Sequence, residues 1–139
     1  MMSENEEIYW HVHDGIVIEY KGRAPGPMDD SALADCYRDF RNRFFDNTVP
    51  DLSDDFICEF IKLPFDTAGI TYLEEDAAKL GVRKGIRINE KLKEFPAEAK
   101  VALLHEMVHA TGVRGHGDEL KVALKQLFNK RAYLEPLIL

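Results

Sequence analysis

The chain has 139 residues, a length typical of one domain with one hydrophobic core. Hydrophobic residues make up 45% and charged residues 31%, as in soluble globular proteins, and no apolar run approaches the ~18 residues of a membrane-spanning helix. The net charge of −7 argues against a protein whose whole surface binds nucleic acid.

The first ten residues, MMSENEEIYW, are acidic and polar. They contain neither the basic nor the apolar region of a signal peptide, so we expect a cytoplasmic protein. The two cysteines, Cys36 and Cys58, do not form a CxxC pair. Their number and spacing favour two buried thiols in a reducing compartment over a disulfide framework.

A hairpin signal opens the chain. Residues 8–20, IYWHVHDGIVIEY, alternate in polarity and turn at Asp14-Gly15, which predicts a β-hairpin because both turn residues tolerate positive φ. His11 and His13 share one face of the first strand, and we interpret them as its polar face.

A helix is predicted after the Gly- and Pro-rich loop that follows the hairpin. Ser31 is expected to cap it, and the helix runs through ALADCYRDFRNRFF. Four apolar residues recur at helical spacing and should face the core. They are Leu33, Tyr37, Phe40 and Phe44.

Three short β segments, 56–63, 68–73 and 85–89, come next, and residues 74–80 between them favour a short helical turn or a loop. Pro96 then opens a helix that ends near Gly112. Asp118 is expected to cap a last helix over roughly 119–132, as an N-cap. Its inward residues are Leu120, Leu124, Leu127 and Phe128. The order of helix, small sheet and two helices indicates an α+β fold.

Residues 79–93, KLGVRKGIRINEKLK, carry six basic residues and one acid, Glu90. Such a run is usually a solvated face. The alternative is a local patch that binds an anionic ligand or DNA, and a charge reversal at Lys84 and Arg87 would weaken it.

Three histidines and a glutamate gather in LLHEMVHATGVRGHG, residues 103–117. His105 and His109 are four residues apart on a predicted helix, so their imidazoles lie on one face and can hold one metal ion. Glu106 is rotated away from that ion but can reach a water bound to it, as in metal-assisted hydrolysis. Zinc is the expected ion because neutral imidazole suits it.

The helix that carries these residues is apolar on most sides, which predicts a central place in the core. Histidines on a buried face are costly unless their nitrogens are satisfied, and a metal ion would satisfy them. A catalytic zinc usually has three protein ligands, and Gly112 and Gly115 let the chain turn back. We therefore expect His116 as the third ligand. The rival carboxylates are Asp118, Glu119 and Glu135.

Several segments beyond the HExxH motif resemble the SprT-like family of zinc metallopeptidase domains. In family order they are RNRFFDNTVPDL at 41–52, TAGITY at 67–72, IRINEKL at 86–92, LLHEMVHA at 103–110 and GHGDELKVALKQL at 115–127. Asn47 stands where the family has glycine, and asparagine tolerates the left-handed backbone of such a turn.

The resemblance implies a zincin-like α+β fold, in which a small, mainly antiparallel sheet packs with about three helices and the HExxH helix is central. It implies one Zn²⁺ per chain, held by His105, His109 and His116, with Glu106 as the catalytic general base.

The resemblance also implies a single SprT-like metalloprotease domain over residues 1–139, with a hairpin extension at 1–30 and a core at 31–132. This compact form lacks the C-terminal zinc ribbon of larger members. The activity would be peptide-bond hydrolysis in a protein or peptide substrate, with DNA-associated proteins as one substrate class and DNA as one partner.

Two other interpretations stay open. One is a non-catalytic, zinc-stabilised binding module, and the other is a regulatory peptidase that cuts one specific protein partner. For the hydrolytic reaction, three residues are candidates to stabilise the oxyanion or contact the substrate. They are Tyr72, Arg114 and Tyr133.

Overall fold

The computed structural model describes residues 6–13, 16–23 and 28–129, with side chains for most of residues 28–129 only. Helices and a small sheet are both present, in agreement with the predicted α+β class. The elements in chain order are β1 (Glu6–His13), β2 (Ile16–Arg23), α1 (Asp30–Phe44), β3 (Ile57–Ile61), β4 (Gly69–Tyr72), α2 (Glu74–Leu80), β5 (Gly85–Asn89), a 3₁₀-helix (Glu90–Glu94), α3 (Pro96–Ala110) and α4 (Asp118–Asn129).

Strands β1 and β2 form a two-stranded antiparallel sheet in which His13 lies opposite Ile16. This register leaves two residues between the strands, so the predicted hairpin is confirmed. The turn itself, Asp14-Gly15, lies outside the described residues.

The N-cap of helix α1 lies two residues before the expected one. The Asp29 carboxylate accepts a hydrogen bond from the backbone nitrogen of Ala32 at 2.8 Å and caps the helix. The prediction of Ser31 as the cap was therefore wrong, because Ser31 lies inside the first turn. The predicted apolar stripe is confirmed. Its buried residues are Leu33, Cys36, Tyr37, Phe40 and Phe44.

The turn after α1 has the left-handed backbone that the sequence predicted. Asp46 and Asn47 have φ values of 46° and 60°. The Arg41 guanidinium donates to the Asn47 side-chain oxygen and to the Val49 backbone oxygen, each at 2.8 Å. These bonds fix the turn that returns the chain toward β3.

The three-stranded sheet has the order β3–β5–β4. All five residues of β5 are buried, as expected for a central strand that is covered on both faces. β4 is antiparallel to β5, but β3 is parallel to it. The sheet is therefore mixed rather than mainly antiparallel, because the long connection through β4 and α2 allows β5 to run in the direction of β3.

Helix α3 lies at the centre of the described core, as predicted. It packs against β4, β5, α1 and α4, and its residues 99–108 are all buried. Pro96 occupies its first turn, where the missing N–H costs nothing.

Helix α2 realises one of the two expected alternatives, and α4 begins slightly earlier than expected. Residues 74–80 form a helix rather than a loop, and Gly81 follows as its C-cap with φ of 69°. Asp118 is the first residue of α4 rather than its cap. Leu120, Leu124 and Leu127 are buried as predicted, and the side chain of Phe128 lies outside the described residues.

Candidate metal centre

Three histidine side chains converge beside the C-terminal end of α3. His105 and His109 lie one turn apart on the helix, and His116 lies in the loop before α4. The Nε2 atom of His105 is 3.0 Å from Nε2 of His109 and 3.3 Å from Nε2 of His116. One ligand atom from each of the three lies within 4.8 Å of the others, close enough to bind one metal ion.

The two separations from His105 are close to those around a tetrahedral metal ion. Two nitrogens bound to one zinc at about 2.0–2.1 Å lie roughly 3.3 Å apart in tetrahedral geometry. Imidazole nitrogens this close repel through their lone pairs unless a proton or a cation lies between them. Because His105 is buried, its repulsion with the neighbouring nitrogens is poorly relieved by water. One cation bound by all three nitrogens would relieve it.

The loop after α3 fixes the orientation of His109. Its Nδ1 atom is 2.8 Å from the backbone oxygen of Val113. A carbonyl oxygen only accepts, so Nδ1 donates this hydrogen bond. In the neutral ring the lone pair is then on Nε2, which faces His105. Gly112, with φ of 109°, allows the chain to turn back so that Val113 reaches the ring.

The rival carboxylates do not join this cluster within the described part of the chain. Asp118 and Glu119 are exposed in the first turn of α4, and neither belongs to the group of converging ligand atoms. Glu135 lies outside the described residues. His116 is thus the third residue at the centre, as expected.

Glu106 extends from α3 toward β4 and is not one of the converging ligands. Its side chain is buried, and the Thr71 hydroxyl is 2.9 Å from its Oε1 and 3.0 Å from its backbone oxygen. A Cβ atom at Gly69 would lie only 2.9 Å from Glu106 Cγ, so the glycine leaves the space that Glu106 fills. Burial raises the pKa of Glu106 from 4.5 to about 7, against the opposing effects of Thr71 and His116.

Gly69 and Thr71 were not predicted as site residues. The signal available was strand alternation in TAGITY, which places these two residues on one face of β4. The alternation does not say which helix lies against that face, so their contact with Glu106 could not be predicted.

His109, His116 and Glu106 border one groove of about 280 Å³. Strand β4 forms one wall, and the loop between α3 and α4 forms the other. The lining residues are Gly69, Ile70, Thr71, Leu73, Asp76, Glu106, His109, Val113, Arg114, Gly115 and His116. The groove therefore brings the carboxylate and two of the three histidines together along one lining.

Of the three residues predicted to contact the substrate or the oxyanion, one lines the groove. Arg114 lines the groove, and its guanidinium is 3.5 Å from the Glu75 carboxylate, with both side chains exposed. Tyr72 is not among the described lining residues, and its ring packs under the Arg87 guanidinium at 5.3 Å. Tyr133 lies outside the described residues.

The basic stretch 79–93 does not form one solvated face. Arg87, in its middle, is buried, 3.6 Å from the Glu59 carboxylate, and donates to the backbone oxygen of Arg83 at 2.8 Å. Its other basic residues lie before or after β5, a strand of roughly 16 Å. Counting Arg87 as a surface charge was therefore wrong, and DNA binding stays a prediction.

Comparisons with known proteins give no further identification: no family model, no curated protein and no solved structure matches the chain. The resemblance to the SprT-like family rests on the quoted motifs and stays a prediction. Among the described residues, no helix combines the length and the apolar character that crossing a membrane requires.

Proposed function

We propose that the protein is a zinc-dependent metallopeptidase with a zincin-like, SprT-like domain, and that it hydrolyses peptide bonds. The observation that carries this proposal is a cluster of three converging imidazoles, two of which line a groove together with a buried carboxylate outside the ligand set. A structural zinc site normally uses four protein ligands and needs no neighbouring carboxylate. The arrangement therefore favours hydrolysis over metal-stabilised binding alone.

His105, His109 and His116 would hold one Zn²⁺ per chain. Three neutral imidazoles suit zinc and leave a coordination position for water or substrate. When bound there, zinc lowers the pKa of water toward ~7 and polarises a carbonyl group. The hydrogen bond from His109 to the Val113 backbone is the kind of outer contact that orients metal-binding histidines.

Glu106 would act as the general base. It would take a proton from the attacking water and deliver it to the leaving amine. In the metal-free protein, burial raises the pKa of Glu106 to about 7, so this carboxylate accepts a proton more readily than an exposed glutamate would. The buried position of this carboxylate thus supports a role in proton transfer.

The groove suits an extended peptide as substrate. β4 lies at the edge of the three-stranded sheet and contributes Gly69, Ile70 and Thr71 to the lining. An extended peptide can pair with such an edge through main-chain hydrogen bonds, whatever its side chains. Arg114, also in the lining, is the described residue we favour for stabilising the oxyanion.

A reducing compartment suits the cysteines. Cys36 and Cys58 are free and buried, and burial raises the pKa of both thiols, that of Cys36 to about 11. Such thiols are inert at neutral pH. We therefore propose a cytoplasmic location. The resemblance to the SprT-like family adds DNA-associated proteins as a proposed substrate class.

The substitution Glu106→Gln tests the proposal. The variant should keep its zinc, measured by mass spectrometry of the metal, and cleave fluorescein-labelled casein about 10²- to 10⁴-fold more slowly than wild type. The exposed, nearby Glu119→Gln is the matched control and should cleave casein at the wild-type rate. Equal cleavage by Glu106→Gln and wild type would contradict the role of Glu106.

A further inference from the structure

We propose that Thr71 is a positioning residue whose hydroxyl holds the Glu106 carboxylate in place beside the three histidines. Its catalytic consequence rests on the proposed function, but the contact itself rests on hydrogen-bond geometry. The hydroxyl lies 2.9 Å from Glu106 Oε1 and 3.0 Å from the Glu106 backbone oxygen, and it belongs to a strand 35 residues away in sequence.

The position of Thr71 is set by the core of the sheet. In the β4–β5 pairing, Thr71 lies opposite Ile86 and Gly69 lies opposite Ile88. Both isoleucines are completely buried, so β4 has little freedom to move away from its neighbour. A threonine side chain is also stiff about its first torsion, because its Cβ is branched. The hydroxyl therefore has a well-defined position from which it can hydrogen-bond to Glu106.

Gly69 confines the same side chain from a second direction. A Cβ atom there would lie 2.9 Å from Glu106 Cγ, so the chain of Glu106 passes directly over the glycine. The middle of the Glu106 side chain is thus held by contact with Gly69, and its end is held by Thr71. Within the described part of the chain no hydrogen bond to its second carboxylate oxygen, Oε2, is found, so we assign proton transfer to Oε2.

The Thr71 hydroxyl has one proton, which it can donate to either of its two oxygen neighbours on Glu106. Valine, which has the same shape, can donate to neither.

The first experiment compares Thr71→Val with Thr71→Ser in zinc-loaded protein, with fluorescein-labelled casein as substrate. Thr71→Val should lower kcat by about 10- to 100-fold with KM nearly unchanged and zinc retained, as for the loss of other outer contacts. Thr71→Ser should restore kcat to within a few-fold of wild type. Thr67→Val is the control, because the Thr67 hydroxyl has only a 3.5 Å contact with Asp66.

The second experiment needs neither metal nor activity. Urea unfolding of chelator-treated, desalted protein is measured for wild type, Thr71→Val, the nearly isosteric Glu106→Met, and the double variant. Thr71→Val should raise the unfolding constant roughly 3- to 10-fold more in the wild-type background than beside Glu106→Met. Thr71→Ser should unfold like wild type.

The two experiments separate the failure of this proposal from the failure of the proposed function. An equal effect of Thr71→Val in both backgrounds would overturn the contact whether or not the protein is a peptidase. A wild-type kcat for Thr71→Val, in a protein that Glu106→Gln inactivates, would overturn the positioning role alone. If zinc-loaded wild type cleaves no casein, the unfolding result still decides whether Thr71 holds Glu106.

Discussion

The two walls of the groove are built in opposite ways. The β4 wall belongs to the core: Glu106 is 7% exposed, contacts Thr71 at 2.9 Å and fills the space left by Gly69. The wall that carries His116 is an exposed loop, in which Gly115 has φ of 72°. One wall buries the carboxylate against the sheet, whereas the other carries the third histidine on an exposed loop.

This difference matches the separate demands of the proposed chemistry. A general base must be held in one geometry, because small displacements of a reacting group slow proton transfer severely. A metal ion must enter, and an extended substrate must pass, so the opposite wall benefits from an exposed loop. His109 joins the two walls, since it lies on α3 but bonds to Val113 of the loop.

The largest expected effect comes from placing a methyl group at Gly69, in the β4 wall of the groove. In Gly69→Ala, the new Cβ would lie 2.9 Å from Glu106 Cγ and 3.2 Å from the Arg87 backbone oxygen, which cannot easily move. We expect a loss of about 1–3 kcal/mol in the free energy of unfolding and a large loss of casein cleavage, with zinc retained. Urea unfolding, activity and metal content of one preparation check this.

Gly115→Ala is the matched change in the exposed loop that carries His116. A Cβ atom there has no neighbour within 4 Å among the described residues, so only the positive φ opposes it, at a cost of about 1 kcal/mol. Casein cleavage should remain close to that of wild type. If Gly115→Ala proved as damaging to activity as Gly69→Ala, the two walls would not differ as we describe.

A smaller effect concerns pH and the metal-free protein. Burial raises the pKa of Glu106 to about 7 in the folded state, above the ordinary 4.5, so ionisation destabilises the fold. Wild type should therefore lose stability relative to Glu106→Gln as the pH rises from about 4.5 through 7. At pH 8 we expect the variant to be more stable by on the order of 1–2 kcal/mol, after allowance for relaxation of the site.

Urea unfolding of chelator-treated wild type and Glu106→Gln at pH 5 and pH 8 measures this difference. Glu119→Gln, at an exposed position, should show the same stability difference from wild type at both values. A Glu106→Gln difference that does not grow with pH would mean that the carboxylate is well solvated.

Most helices could be predicted because their signals are local. The apolar stripe of α1, Pro96 at the start of α3 and the leucines of α4 are all readable within a few turns of sequence. The HExxH spacing likewise placed His105 and His109 on one helical face. His116 could be proposed because glycines beside it permit the chain to reverse.

The remaining features depend on contacts between distant segments. The parallel pairing of β3 with β5 is decided by how the intervening chain crosses the sheet, which strand patterns do not encode. Arg87 is charged in sequence but buried in structure, because β5 became the central strand. The contact of Thr71 with Glu106 required the docking of β4 on α3, which no local pattern specifies.

The metal content of the purified protein tests the account most directly. Mass spectrometry of the metal should find about one zinc per chain in wild type and in Glu106→Gln. His116→Ala, which removes the third ligand from the exposed loop, should hold zinc more weakly and lose it on dialysis. A wild-type protein that retains no zinc, even after zinc is added back, would contradict the three-histidine centre on which the proposed function depends.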